Sequence, residues 1–288
     1  MIEISLKSSD LLYLACAISE VTNPRAVIQI IPGVKEHKSR YNEFIMELNN
    51  NGFNVFISDI RGHGRSINGN YPLGYIDDYQ KMVEDQNIIN DFLRNRYPGL
   101  PIYMLGDSIG AEVALGFIQK YDNKIDKLAL ISPLNHAKNT DFWISTARLT
   151  LKFQSGKKSS SFLQNALGDF SLEKLAKDNN ERERIKNDAL CNFSYSNMAI
   201  GNMLLLKKDV SMHTKYQGNN KTLPIMIMFG ALDEIGGGRD GIKALINILN
   251  KSGYTMIGNL EYANMMHKIL FETGRRLVYN DLLKILLN

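Results

Sequence analysis

Only two cysteines, Cys16 and Cys191, occur in 288 residues. Two thiols exclude a disulfide framework and a four-cysteine zinc site, and each reads as a small buried hydrophobe. Long apolar runs are also missing. None approaches the roughly 20 residues of a membrane span, so no integral membrane segment is expected. The first short apolar run, Leu11 to Ile18, comes after Glu3, Lys7 and Asp10. That is not the order of a secretory signal, and a cytoplasmic protein is the expectation. Charge of one sign is not in excess either: 34 Lys and Arg stand against 30 Asp and Glu, a net of +4. Clusters such as Glu181-Arg182-Glu183-Arg184 alternate in sign, as a solvated helix face does, so nucleic acid is not an expected partner. There is no Gly-Lys-Ser/Thr phosphate loop, no metal-ligand spacing and no internal repeat. Neither a metal nor a cofactor is expected.

With 44% hydrophobic and 22% charged residues, the remainder is ordinary globular composition. Short apolar, β-branched runs recur at 26–31, 54–58, 102–105, 127–131 and 225–229, each ending near turn residues. Between them lie helical periodicities. Tyr79, Met82, Val83, Ile89, Phe92 and Leu93 share one face, as do Val113, Ala114, Phe117 and Ile118. Near-continuous apolar strands separated by helices predict a mostly parallel central sheet with helices on both faces. Segments 3–6 and 11–18 fit an antiparallel pair at its edge. The alternation breaks from 134 to 221, where charged helical stretches and Lys/Ser-rich turns replace the strands. The expected organisation is an α/β core over 1–133 and 222–288, interrupted by an inserted, mainly helical segment over 134–221.

The feature that carries chemistry is Gly106-Asp107-Ser108-Ile109-Gly110, between the strand ending at Leu105 and the helix containing Val113. Gly-x-Ser-x-Gly in a strand–turn–helix context is a nucleophile elbow. The turn is tight enough that Gly106 and Gly110 must lack side chains. The serine hydroxyl then projects from the sheet beside the N–H of Ile109 at a helix N-terminus. The bland alternative is a helix-capping serine in a Gly-rich turn.

A nucleophilic serine needs a base, and this elbow comes with the chain order Ser…Asp/Glu…His. His37 and His63 precede Ser108, and His136 and His213 precede the strand expected to deliver the acid. His267 is left as the base. Past the strand ending at Phe229 comes Gly230-Ala231-Leu232-Asp233-Glu234, which makes Asp233 the first choice of acid and Glu234 the next. Asp240 reads as the cap of a helix over 241–249. A second oxyanion donor is expected in the loop after an earlier strand, where Pro32 has no N–H and Gly33 lets an acyl group approach. The N–H of Val34 is the candidate.

Two further stretches coincide with the elbow and its partners: Pro32-Gly33-Val34-Lys35-Glu36-His37-Lys38-Ser39-Arg40-Tyr41 and Asp59-Ile60-Arg61-Gly62-His63-Gly64-Arg65-Ser66. Together they resemble the monoacylglycerol lipase and lysophospholipase group of the α/β-hydrolase superfamily, also labelled serine aminopeptidase-like hydrolases. The resemblance implies an α/β-hydrolase fold and a Ser108–His267–Asp233 triad. It also implies a supporting rather than basic role for His63, and a cap made by the insertion. The group usually has His-Gly where this chain has Pro32-Gly33. Its elbow often reads His-Ser-Met-Gly-Gly, against Asp107-Ser108-Ile109-Gly110-Ala111 here, with Asp107 expected to point away from the oxyanion.

The expected function is hydrolysis of a carboxylic ester, of monoacylglycerol or lysophospholipid type, with a small-molecule ester or lipid as partner. A short-chain carboxylesterase, an aminopeptidase or a non-catalytic binding protein on the same fold are the alternatives. Gly236-Gly237-Gly238-Arg239-Asp240-Gly241 literally fits a dinucleotide fingerprint. It begins seven residues past Phe229, however, and reads instead as a flexible loop.

Overall fold

A computed structural model describes residues 1–136, 138 and 140–288. Eight strands form one sheet: β1 Ile2–Lys7, β2 Tyr13–Ser19, β3 Ala26–Ile31, β4 Phe53–Ser58, β5 Ile102–Asp107, β6 Lys127–Ile131, β7 Ile225–Gly230 and β8 Ile257–Tyr262. Their spatial order is β1-β2-β4-β3-β5-β6-β7-β8. β2 pairs antiparallel with both β1 and β4, and the remaining pairs are parallel. The predicted edge hairpin and parallel centre are both present. β3 and β4 are buried along their whole length, which is why their sequences run apolar without alternation. Gln29 is the exception inside β3. Its amide is satisfied by Gln86 and by Asn90, both on the helix Tyr79–Arg96.

Nine α-helices lie among the described residues: α1 Asn42–Asn50, α2 Tyr79–Arg96, α3 Ile109–Tyr121, α4 Asp141–Phe153, α5 Leu172–Leu175, α6 Asn179–Asn187, α7 Asn197–Val210, α8 Gly238–Lys251 and α9 Arg275–Leu287. They divide the core into two apolar layers. One joins the sheet to α2, α3, α7 and α8; the other joins it to α1 and α9 through Phe44, Leu48, Tyr279 and Leu282. This is the α/β-hydrolase arrangement. The chain runs from β3 out to β4 and then returns to lay β5 on the other side of β3, with Ile31 opposite Gly106. That reversal opens a crevice at the carboxyl ends of β3 and β5, where ligands of such sheets bind.

The segment between β6 and β7 holds α4 to α7 and, among the described residues, no strand. Its last helix lies on α3 as well as beside the crevice. A side chain on Gly116 would meet Leu206 of α7, and Gln119 donates to the carbonyl of Asp209. α3 is therefore buried on nearly every side, where the sequence pattern picks out a single apolar stripe. One boundary also differs from expectation. α8 starts at Gly238, after a left-handed Gly237 (φ 74°), so Asp240 sits inside the first turn and caps nothing. β8 starts at Ile257, because Gly253 turns the chain and Tyr254 leaves the sheet to bond Ile118 and Asp122.

Candidate active site

The elbow's glycines are set by close backbone contact. A Cβ on Gly106 would lie 2.4 Å from the carbonyl oxygen of Gly110, and one on Gly110 would lie 2.2 Å from that of Ile31. Squeezed between them, Ser108 takes φ 52° and ψ −115°, a strained conformation that costs roughly 1–3 kcal/mol. Its N–H is fixed by the carbonyl of Ile131 at 2.9 Å. The hydroxyl lies at the N-terminus of α3, beside the N–H of Ile109.

Ser108, Asp233 and His267 come together although 125 and 34 residues separate them in sequence. His267 Nε2 lies 2.7 Å from Ser108 Oγ, and Nδ1 lies 2.9 Å from Asp233 Oδ2. Nδ1 faces a carboxylate, which only accepts, so Nδ1 carries the proton and Nε2 is left to accept from the serine. All three are buried, at 3%, 2% and 1% exposure for Ser108, Asp233 and His267. Phe170 closes over them, edge-on to the imidazole with ring centroids 5.9 Å apart. Glu234 does not join this set; it pairs with Lys174.

The acid is held by the Gly-rich loop that mimics a dinucleotide fingerprint. Gly236 donates its N–H to Asp233 Oδ1 at 2.8 Å, and a Cβ there would stand 2.6 Å from Oδ2. A Cβ on Gly241 would lie 1.9 Å from the carbonyl of Gly236. Close packing around Asp233 is what requires these glycines.

On the opposite side, the loop 32–41 presents Val34. A side chain on Gly33 would touch Ser108 Cβ at 3.4 Å, which brings this loop directly against Ser108. The N–H groups flanking Val34 are both taken by tyrosine hydroxyls: Gly33 donates to Tyr41 and Lys35 to Tyr195, each at 3.0 Å. Each tyrosine is anchored in turn. Tyr41 donates to Asp107 at 2.7 Å and Tyr195 to His63 Nε2 at 2.6 Å, while His63 Nδ1 faces the Arg61 carbonyl. The Val34 N–H has no protein partner among the described residues. Lys35 completes the loop with φ 53°, a left-handed backbone that costs a lysine about 1–2 kcal/mol.

Burial sets the electrostatics. It lowers His63 to about 4, so this ring is neutral at ordinary pH and accepts from Tyr195. Asp107 is raised by burial, offset partly by Lys268 and by the Tyr41 hydroxyl it accepts from. Within the loop, Glu36 pairs with Arg40 and reaches across to Lys268, and Arg40 also pairs with Glu181 of α6. Lys268 follows His267, so one buried charge network joins the Val34 loop, the histidine loop and the inserted helices. The insertion is tied to the histidine loop twice more, by Lys268 N–H to the Leu175 carbonyl and by Glu272 accepting from Lys177 and Asp178.

The Asp59–Ser66 stretch is pinned by its own polar residues. Asp59 accepts from the N–H groups of Lys38 and Arg65, and Arg61 is fully buried against Asp85 and Asp10. Sequence spacing gives no hint of one further group. His37, Asp188 and Cys191 bring ligand atoms within 4.8 Å of one another. His37 and Asp188 already bond each other at 2.8 Å, and burial pushes the Cys191 thiol up to about 12.

A family described as serine aminopeptidase, S33, matches residues 22–274. The chain belongs to this family. Among relatives of the S33 family, it is 32% identical over 184 residues to a monoglyceride lipase homolog of monkeypox virus, covering 62% of each chain. It is 31% identical over 148 residues to the human monoglyceride lipase, covering 50% of this chain and 48% of that one. The chain thus spans about half to three-fifths of the length of these relatives. A thermostable carboxyl esterase from Bacillus coagulans superposes with a TM-score of 0.89 at 21% identity, covering 99% of this chain and 97% of that one. This likeness concerns the fold and runs over nearly the whole chain.

Proposed function

We propose that this protein is a serine hydrolase of carboxylic esters, of monoacylglycerol or lysophospholipid type, acting through Ser108, His267 and Asp233. The observation that carries the reading is the series of hydrogen bonds from Asp233 through His267 to Ser108, ending beside the unpaired N–H of Val34. In the proposed reaction Ser108 Oγ attacks the ester carbonyl as its proton passes to His267 Nε2. The oxyanion is received by the N–H groups of Val34 and Ile109. Asp233 holds the tautomer and stabilises the imidazolium, which then protonates the departing alcohol. Water attacks the acyl-enzyme with His267 again as base, and the acid leaves as Ser108 regains its proton. The names of the relatives support the ester class. Residues 134–221 act as a cap over the nucleophile, a role supported by Phe170 against His267.

The family's name also raises an aminopeptidase. A free N-terminus would need an unpaired carboxylate beside the site. Glu36 is already held by two cations, and the neighbouring Lys35 would repel an ammonium. The cytoplasmic setting expected from the sequence goes with this proposal; no helix among the described residues is long and apolar enough to cross a membrane.

A fluorophosphonate probe with mass-spectrometric mapping, run beside an acyl-ester series, tests the reading. Label on Ser108 is expected, with Ser108→Ala losing it and at least ~10³-fold of kcat. Turnover unchanged in Ser108→Ala would overturn it.

A further inference from the structure

Among the described residues, no carboxylate balances the charge of Lys35 in the Val34 loop. Its ammonium is half-buried over the rings of Phe193 and Tyr195, 5.9 and 6.0 Å from their centroids. The neighbouring cations Arg40 and Lys268 are paired with Glu36 and Glu181. Burial alone lowers its proton affinity, with no acid opposing that shift. A desolvated cation with no counter-ion is unfavourable until an anion arrives. The left-handed backbone at this residue adds a second local cost, of a kind that gathers at functional sites.

The ammonium has space around it. Two cavities, of about 340 and 190 Å³, flank Phe170, and both are lined by Val34, Lys35 and Ser171. In the larger, the only other charged lining residue is Asp169. In the smaller, the other charged lining residues are Lys186, Lys268 and Glu36. Glu36 is already neutralised by Arg40 and Lys268, so the wall of the smaller cavity is cationic.

We infer that the smaller cavity receives a compact anionic group, phosphate or carboxylate, on the alcohol half of the ester, with Lys35 as its specificity-determining cation. Ser171 lines the same cavity, and its hydroxyl would supply a further donor. This rests on the ester-hydrolase reading and narrows it, favouring lysophospholipid-like esters over neutral monoacylglycerols.

The test compares kcat/KM for three esters of one medium-chain acid: with glycerol, with glycerol 3-phosphate and with glycolate. An anionic ester is expected to exceed the glycerol ester by at least about tenfold. Lys35→Gln should lower that ratio about tenfold, mainly through KM, and Lys35→Arg should keep it. In the wild type the ratio should fall as NaCl rises to about 0.5 M. A preference for the phosphate ester alone assigns the site to phosphate; a shared preference assigns it to compact anions generally. The absence of an anionic preference, or one that survives both Lys35→Gln and salt, overturns the inference while leaving ester hydrolysis intact. Failure to hydrolyse any of the three, with no probe on Ser108, removes the ester reading and this subsite with it.

Discussion

The two loops that flank Ser108 are held in opposite ways. The loop with Asp233 is fixed by missing side chains: Gly236 and Gly241 let backbone and carboxylate close to distances that a methyl group would block. The loop with Val34 is fixed by added groups, two tyrosine hydroxyls on the N–H groups either side of it. The first is rigid mainly through close packing, and the insertion adds only peripheral ties, from the Asn135 N–H to the Ile235 carbonyl and from Lys174 to Glu234. The second takes one of its two ties from Tyr195, inside the insertion, so the loop that presents the Val34 N–H shares a hydrogen bond with the inserted helices. One side of the site is therefore vulnerable to gaining an atom and the other to losing one.

The largest effect should come from gaining an atom. Gly236→Ala places a Cβ against Asp233 and against the carbonyl of Pro133. Misplacing the acid should lower kcat about 10²-fold, measurable with any ester the wild type turns over. Wild-type kcat in a folded Gly236→Ala protein would show that the glycine does not set the acid.

Losing an atom should cost less. Tyr41→Phe and Tyr195→Phe each leave a loop N–H without its acceptor, at about 1–3 kcal/mol of stability. Each should lower kcat about tenfold with little change in KM, because the donor that loosens acts on the oxyanion. The pair should be non-additive, since both act on one short loop. An effect confined to KM would move the role of these hydroxyls to substrate binding.

The smallest change in rate at neutral pH is expected for His63, which acts at one remove. Its pKa is held at about 4 by burial, against an ordinary 6.5. Between those values the unfolded chain takes up a proton that the folded chain refuses. Stability should therefore fall as pH drops from 6.5 to 4, by up to ~3 kcal/mol, and be independent of this group above 6.5. Denaturant unfolding across that range checks it. His63→Gln, which does not titrate, should flatten the curve; an unchanged slope would assign it to the carboxylates.

The comparison also marks what the sequence makes legible. The parallel strands are plain because burial on both faces leaves them apolar throughout. Ser108 is plain because backbone contacts on both sides demand Gly106 and Gly110. Asp233 and His267 follow from chain order and strand ends, which are local cues. The tyrosine ties give no such cue: Tyr195 meets Lys35 160 residues away and His63 132 residues away, at no characteristic spacing. The Gly-rich loop misleads for a related reason. Glycines demanded by a carboxylate are spelled like glycines demanded by a pyrophosphate, and only the strand end, at Gly230 well before Gly236, separates them. The docking of α7 on α3 is equally hidden, since a helix buried all round and one with a single apolar stripe differ by only a few residues.

The bond between Ser108 and His267 closes a loop of 159 residues. Contacts of such sequence separation form late, after the entropy of the intervening chain has been given up. Nucleophile, base and acid lie on three separate strand ends, and the histidine's loop is anchored to the insertion. A nascent chain that has completed β5 therefore displays the serine with nothing to activate it. On the proposed triad, reactivity of Ser108 toward an acylating reagent would then count the molecules that have finished folding.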